Sequence, residues 1–291
     1  MLDGFPSNGS QAKESGAILM TAQEPKQYSS ESDRWYDPIT QKSVNDCLSA
    51  KGLPKRVTLR EARRENYIPS VTTILHNLSK PGLERWKVLQ YLGVAHRSKD
   101  LHWTEEEWIK EVIRVADQEM DVAKDRGQDI HGKIDRWLEA GMPEPQCAHT
   151  KAARTALDRL GCAEYPMEIE KTFAVQCGDV WVAGKCDLHS ADQRIIVDWK
   201  SSKSPCDGTE KLGWDEHIIQ LASYSMALFG KFVPCYNVFV STSVDGAFEI
   251  VGWNHADMER GWSMYCHAYH LWCLAKNFVP SRKLSQTAQS S

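Results

Sequence analysis

The residues best suited to chemistry are Asp187, Asp198 and Lys200, with Glu170 upstream of them. Three strands are predicted between positions 170 and 200. Glu170 to Gln176 alternates; Val180 to Leu188 follows the turn residues Cys177-Gly178-Asp179; Ile195-Ile196-Val197 follows the polar Ser190-Ala191-Asp192-Gln193. Strand side chains alternate between faces, so Asp198 and Lys200 share one face while Trp199 points the other way with Ile195 and Val197. Asp187 closes the preceding strand and Glu170 opens the first. Converging carboxylates make a hard-oxygen site for Mg²⁺ or Mn²⁺. Such an ion polarises a phosphoryl oxygen and lowers the pKa of a bound water, and a neighbouring lysine orients that water or stabilises charge developing on the phosphate. The plainer reading of an Asp-X-Lys is a strand end carrying a surface ion pair.

Other polar residues fall at spacings that bring them to the same place. A helix is predicted from about Met120 to Ala140, stopped by Gly141, after a separate one from Thr104 towards Val115 opened by the capping residues Thr104 and Glu107. Gly127, His131, Ile134 and Leu138 form one stripe of the later helix. His131 therefore faces the body of the protein, either as a core histidine or as an additional metal ligand. Trp214 to Phe229 reads as a helix with Gln220 and Tyr224 one turn apart on one face, able to reach one phosphate or brace one carboxylate. Thr150 to Leu160 is a shorter helix. Val238 to Ser241 and Phe248 to Val251 are strands joined around Asp245-Gly246, and a last helix capped by Asn254 or Asp257 runs to about Lys276 with Trp262, Tyr265, Tyr269 and Trp272 on its apolar side.

Two stretches ahead of these elements are basic. Lys51 to Arg64 carries Lys55, Arg56, Arg60, Arg63 and Arg64 against Glu61 alone, with Thr58 and Glu61 as a capping box. It is either a solvated helix face or a contact to the phosphate backbone. Between Leu83 and Leu92, Arg85 and Lys87 flank Trp86, and such interleaving suits a single DNA strand, where bases stack; the alternative is a buried Trp86. Ser70 is an N-cap for a helix through Leu78.

Composition sets the bounds. The chain has 291 residues, 42% hydrophobic and 25% charged, with a formal net charge of −4. That is enough to bury a sizeable core, and it excludes a passive, highly basic nucleic-acid coat. Nine cysteines, scattered and without a C-X-X-C pair, fit free thiols in a reducing compartment. No run approaches the ~18 apolar residues of a membrane span, and the N-terminus carries neither a secretory h-region nor transit-peptide character; the expected location is cytoplasmic. Residues 1–31 and 281–291 are rich in Ser and Gln and are expected to lack fixed structure, with a basic helical extension at 32–103 and an α/β core at 104–280.

Gly184-Lys185-Cys186-Asp187 followed by Asp198-Trp199-Lys200 resembles the core of the PD-(D/E)XK nuclease superfamily. Gly127 and His131 are similar to the Gly-X-X-X-His element of its RecB-like branch, and Gln220 and Tyr224 to that branch's Gln-X-X-X-Tyr motif. The segment Tyr67 to Leu75 resembles one ahead of the catalytic core in phage nucleases related to the mitochondrial genome maintenance exonuclease. The resemblance implies a central mixed β-sheet flanked by helices, of restriction-endonuclease-like type. It implies a Mg²⁺- or Mn²⁺-dependent DNA exonuclease, of phage origin, acting in replication, recombination or degradation. Asp187, Asp198 and the main-chain carbonyl of Trp199 would hold the metal. Glu170, or its competitor Glu168, would complete the site; Lys200 would act on the attacking water, and Gln220 and Tyr224 would position the strand. A recombination or single-strand annealing protein is a possible partner. The iron–sulfur cluster of some relatives is not expected here, because its four clustered cysteines are missing. Two alternatives stay open: an endonuclease of the same fold, and a DNA-binding or assembly module on a degenerate one.

Overall fold

The protein is described here by a computed structural model, which covers residues 34–49, 51–98 and 102–281. The expected N-terminal tail lies outside the described residues. Of the expected C-terminal tail only Ser281 is described, with its N–H donated to Asn66 Oδ1.

The chain opens with short pieces: β1 (Trp35–Tyr36), β2 (Ser43–Val44), β3 (Asp46–Leu48), β4 (Pro54–Arg56), α1 (Leu59–Glu65), β5 (Ile68–Pro69), α2 (Val71–Leu75) and α3 (Pro81–Ser98). The region expected to be a helical extension thus holds five short strands as well as helices. β1 pairs with both β2 and β5, and β3 with β4. Ser70 caps α2 by accepting the Thr73 N–H at 3.1 Å, as its type predicts, but the helix ends at Leu75, short of Leu78. Trp35, Tyr36, Ile68, Val71 and Ile74 are buried in the same core as the main sheet.

Next come α4 (Glu105–Glu139), α5 (Ala148–Arg159), β6 (Glu168–Cys177), β7 (Val180–Ser190), β8 (Ile195–Ser202), α6 (Asp215–Phe229), β9 (Cys235–Ser241), β10 (Phe248–Gly252) and α7 (His255–Lys276). The two helices expected between 104 and 140 are one helix of 35 residues. Nothing between Val115 and Met120 is a Gly or Pro, so no residue there stops propagation. Its start is the capping box foreseen, with the Thr104 N–H donated to Glu107 at 3.0 Å.

The main sheet has the order β10-β9-β8-β7-β6. Only β8 and β9 run parallel; the remaining neighbours are antiparallel. It is a mixed α/β architecture. One sheet face packs Leu188, Val197, Trp199 and Val238 against Ile130, Ile134 and Leu138 of α4 and Ala153 and Leu157 of α5. The other packs Phe173, Val182, Cys186 and Ile196 against Leu221 and Tyr224 of α6 and Tyr265, Tyr269 and Trp272 of α7. Among the described residues no helix is long and apolar enough to cross a membrane.

Candidate active site at a fork between two strands

The site is built where a β-ladder stops. β7 and β8 pair only at Ser190↔Ile195, His189↔Ile196 and Leu188↔Val197. The next opposed residues are Asp187 and Asp198, and there the strands separate. β7 continues as a partner of β6, while Asp198, Trp199 and Lys200 pair with Asn237, Val238 and Phe239 of β9. A fork leaves backbone groups without ladder partners, and buried N–H groups need acceptors. The Asp187 carboxylate supplies one: its Oδ2 accepts the Trp199 N–H at 3.0 Å. A side chain thus ties the two prongs together one step beyond the last ladder pair.

The same point disturbs β6. In the β6–β7 register Ile169 faces Leu188 and Lys171 faces Cys186, leaving Glu170 opposite Asp187. Glu170 has φ of +54°, a left-handed conformation that costs free energy in a non-glycine residue. Phe173 and Gly184 lie on the α6 side of the sheet, whereas Ile169 and Leu188 belong to the α4–α5 side. The strained residue therefore marks where the strand pair exchanges its inward faces, with Asp187 at the crossover.

Asp198 is the most deeply set of the acids, with 2% of its side chain exposed. Its Oδ2 is 2.6 Å from Lys200 Nζ and accepts the Asn237 amide at 2.8 Å. Burial pushes its carboxyl up; the Lys200 charge pulls it back down and Asp187 pushes it up again. Lys200 also donates to Gln220 Oε1 at 3.3 Å, and Gln220 donates to the Tyr224 hydroxyl at 3.1 Å. The one-turn spacing of Gln220 and Tyr224 on α6 lets them act in series. Gly184 makes the approach possible, since a Cβ there would lie 2.8 Å from the Tyr224 ring. From the opposite face α4 presents Gly127, where a Cβ would meet the Ser201 hydroxyl at 2.6 Å, and His131, whose Nδ1 is 4.0 Å from Asp187 Oδ2.

Not every expected residue joins. Glu170 forms an ion pair with Lys185 instead of turning to Asp198, and Glu168 is exposed and paired with Lys171 at 2.7 Å. Three of the basic residues of 55–64 are occupied elsewhere. Lys55 pairs with Glu61 at 2.7 Å, Arg64 with Glu65 at 2.6 Å, and Arg63 donates to the Lys276 carbonyl at the end of α7. Arg56 is half-buried in β4 and Arg60 exposed on α1. The α7 end lies past His270, which is 3.1 Å from Asp179 in the β6–β7 turn. Asp179 is roughly 26 Å along the strand from Asp187 at about 3.3 Å per residue. Arg85 and Lys87 are exposed on α3, and Trp86 between them is half-buried.

Three participants were not singled out in the sequence. Asn237 fixes Asp198, and its Oδ1 in turn accepts the Trp253 indole N–H at 2.8 Å. Its signal is an Asn inside the apolar run Tyr236-Asn237-Val238-Phe239-Val240. His217, three residues before Gln220, accepts the Trp214 N–H at 3.0 Å. Burial, then the nearby Lys200 charge, lowers its pKa to about 4, so it is neutral near pH 7. Asp135, one turn beyond His131, is raised by burial and pulled down by His131 and Lys185, and its buried Oδ1 has no hydrogen-bond partner.

The donor chemistry fits a hard divalent cation in part: two opposed carboxylates, one of them buried between Lys200 and the Asn237 amide. Among the described residues, however, no group of three or more His, Cys, Asp or Glu side chains is placed to hold an ion.

No family model matches the chain, and no curated protein does. Among solved structures, one similar chain is a protein of Eubacterium rectale provisionally named an exonuclease. It has 14% identity and a TM-score of 0.38 over 56% of this chain and 72% of the other. SSO0001 has 18% identity and a TM-score of 0.24 over 40% of this chain and 56% of its own. Likeness this low identifies neither fold nor activity.

Proposed function

We propose that the protein is a metal-dependent deoxyribonuclease with a PD-(D/E)XK core, hydrolysing phosphodiester bonds from DNA ends as the RecB-like branch does. The observation that carries this reading is the fork itself. Asp187 and Asp198 stand opposed where the ladder ends, with Lys200 on Asp198 and Gln220 behind Lys200. Mg²⁺ or Mn²⁺ would be held by the two carboxylates and the Trp199 carbonyl, with water in the remaining positions, and would supply Lewis acidity and a more acidic water.

The chain's own residues do the rest. The Trp199 N–H and the Asn237 amide hold the two carboxylates at fixed spacing, so little reorganisation remains when substrate arrives. Lys200, as an ammonium, donates to phosphate oxygens as negative charge grows on them. Gln220 fixes the lysine and would contact the strand, and the buried Tyr224 holds Gln220 from behind. Hydrolysis joins a water oxygen to phosphorus and breaks one P–O ester bond; the leaving oxygen takes a proton and the water loses one. His131 is the α4 group nearest this chemistry and would act on Asp187 or on the ion. DNA would enter past α3, where Arg85 and Lys87 are exposed. Its context would be replication, recombination or degradation of DNA, in a phage-infected cell and beside a recombination or single-strand annealing protein.

A second reading, DNA binding without cleavage, is favoured by the shortage of a third side-chain ligand at the fork. One experiment separates these. End-labelled linear and covalently closed circular DNA, single- and double-stranded, is incubated with the full chain and Mg²⁺, Mn²⁺ or EDTA. The expected result is mononucleotide or short-fragment release from linear DNA with either ion, none with EDTA, and intact circles. Linearised circles would make it an endonuclease, and binding without products would establish the second reading.

A further inference from the structure

Beside the fork lies a cleft of about 710 Å³ between the start of α3 and the segment leading into α6. That size is usual for a small-molecule or nucleobase pocket. Its walls carry three indoles: Trp86 on α3, Trp214 just before α6, and Trp253 after β10. Trp214 is 49% exposed, and Lys211 Nζ lies 5.7 Å from its ring centroid. An exposed indole with a lysine over it is an unusual use of surface, because exposing a large ring to water forgoes its burial. Gly213, beside it, is held at φ +87°, and a Cβ there would lie 2.8 Å from the Trp253 ring. Only glycine lets the chain pass that close to the cleft wall.

The cleft is continuous with the fork in two ways. His217 lines it and feels the charges of both Lys200 and Asp198. Trp253 lines it too, and its indole N–H is the far end of the chain through Asn237 to Asp198, with both bonds at 2.8 Å. Its charges are nearly balanced. Arg260 is paired with Asp215 at 2.9 Å, and the remaining lysines, Lys80 and Lys211, are matched by Glu216 and Asp257. A groove for phosphates would be one-sidedly basic. Aromatic walls with balanced charge suit instead a flat, neutral, polarisable group.

Resting on the nuclease reading, we propose that this cleft takes an unpaired nucleobase of the strand whose phosphate lies at the fork, stacked on Trp214. The substrate is then a single-stranded end rather than a duplex one, since bases within a duplex already stack on each other and offer no free face. The tryptophan contact tolerates any base, because every base has a π-face.

The test separates binding from turnover. Binding of the full chain to a fluorescent oligothymidylate and to a hairpin duplex of matched length is measured by anisotropy in EDTA, for the parent, Trp214→Ala and Trp214→Phe. Base stacking of this kind is lost with a drop of about tenfold or more in affinity. The expected result is that loss for oligothymidylate with Trp214→Ala, most of it restored by Trp214→Phe, and unchanged duplex binding. Thermal midpoints check folding; the Trp214 backbone N–H that holds His217 survives both substitutions. Parent-like single-strand affinity in Trp214→Ala, or equal losses for both DNA forms, overturns the proposal. If the parent cleaves DNA while Trp214→Ala keeps the parent affinity and KM, the cleft reading fails and the nuclease reading stands. If Trp214 governs single-strand binding and the parent cleaves nothing, the reverse holds.

Discussion

Two charged regions stand out in the sequence, and the structure treats them oppositely. The stretch 55–64 packs six cations and acids into ten residues, yet Lys55 is spent on Glu61 and Arg64 on Glu65, both close in sequence, while Arg63 only caps the far end of α7 through the Lys276 carbonyl. At the fork, Asp187, Asp198 and Lys200 come from two strands, and each is held by groups distant in sequence: Trp199 N–H, Asn237 and Gln220. A pair of exposed neighbours such as Arg64 and Glu65 contributes little, and the Lys55–Glu61 pair acts within its own helix start. Charges buried at a ladder break are costly unless something fixes them. Density of charge along the chain is thus a poor guide to chemistry. Convergence of charge where a regular element ends is a better one.

The largest expected effect breaks or sustains this contrast directly. Lys200→Ala should reduce single-turnover DNA cleavage at saturating Mg²⁺ by about a hundredfold or more, the scale for removing a group that stabilises transition-state charge. Lys55→Ala should leave cleavage near the parent value. Asp187→Asn keeps its shape and should lower divalent-ion affinity as well as turnover, read by calorimetry. Because Asp198 is almost wholly buried beside Lys200, thermal midpoints must be compared alongside. Equal cleavage losses in the Lys55 and Lys200 variants would erase the distinction between the regions.

Next in size is the close approach of α6 to β7. Gly184→Ala places a Cβ 2.8 Å from the Tyr224 ring and 2.9 Å from its hydroxyl. The ring is buried and already packed edge-on against Phe173 at 5.1 Å between centroids, so it has little room to yield. Overpacking of this kind costs about 1–3 kcal/mol. A shifted Tyr224 also loses its bond to Gln220 and loosens Lys200, so turnover and stability should fall together. A thermal midpoint and cleavage rate equal to the parent would mean that α6 does not set the lysine's position.

How much of this was legible in the sequence follows the same line. Alternation put Asp198 and Lys200 on one face, and one-turn spacing aligned Gln220 with Tyr224; both features are local and periodic, and both are present. Capping residues at Thr58, Ser70, Thr104 and Asn254 mark helix starts for the same reason. What escaped depends on contacts between distant segments. The fork at Asp187 and Asp198 is a failure of pairing, which no periodicity announces. Glu170 looks equivalent to the other acids, but its left-handed backbone and its link to Lys185 take it out of the group. Asn237 reads as one polar residue in an apolar strand until β9 is seen to run parallel beside β8 and bring it to Asp198.

The smallest effect probes the basic segment for what it does do. Glu61 is 8% exposed at the first turn of α1. Its carboxyl is lowered to about 2, first by the hydrogen bond from Lys55 and then by that from Thr58. In the unfolded chain the same group returns to its ordinary value of 4.5. A carboxyl whose folded pKa lies below its unfolded one contributes stability that is complete above the unfolded value and is lost as pH falls through the folded one. The contribution of Glu61 should therefore be intact above about pH 5 and disappear between pH 4.5 and 2. Glu61→Gln removes the titrating group while keeping an acceptor for the Thr58 N–H, and Lys55→Met removes the ammonium that donates to it. Urea midpoints measured from pH 7 to pH 2.5 should fall less steeply below pH 4.5 in both variants than in the parent. Their affinity for DNA should match the parent's throughout the neutral range. A weaker DNA complex with an unchanged acid limb would reverse the assignment, making Lys55 a phosphate contact rather than the partner that keeps Glu61 ionised.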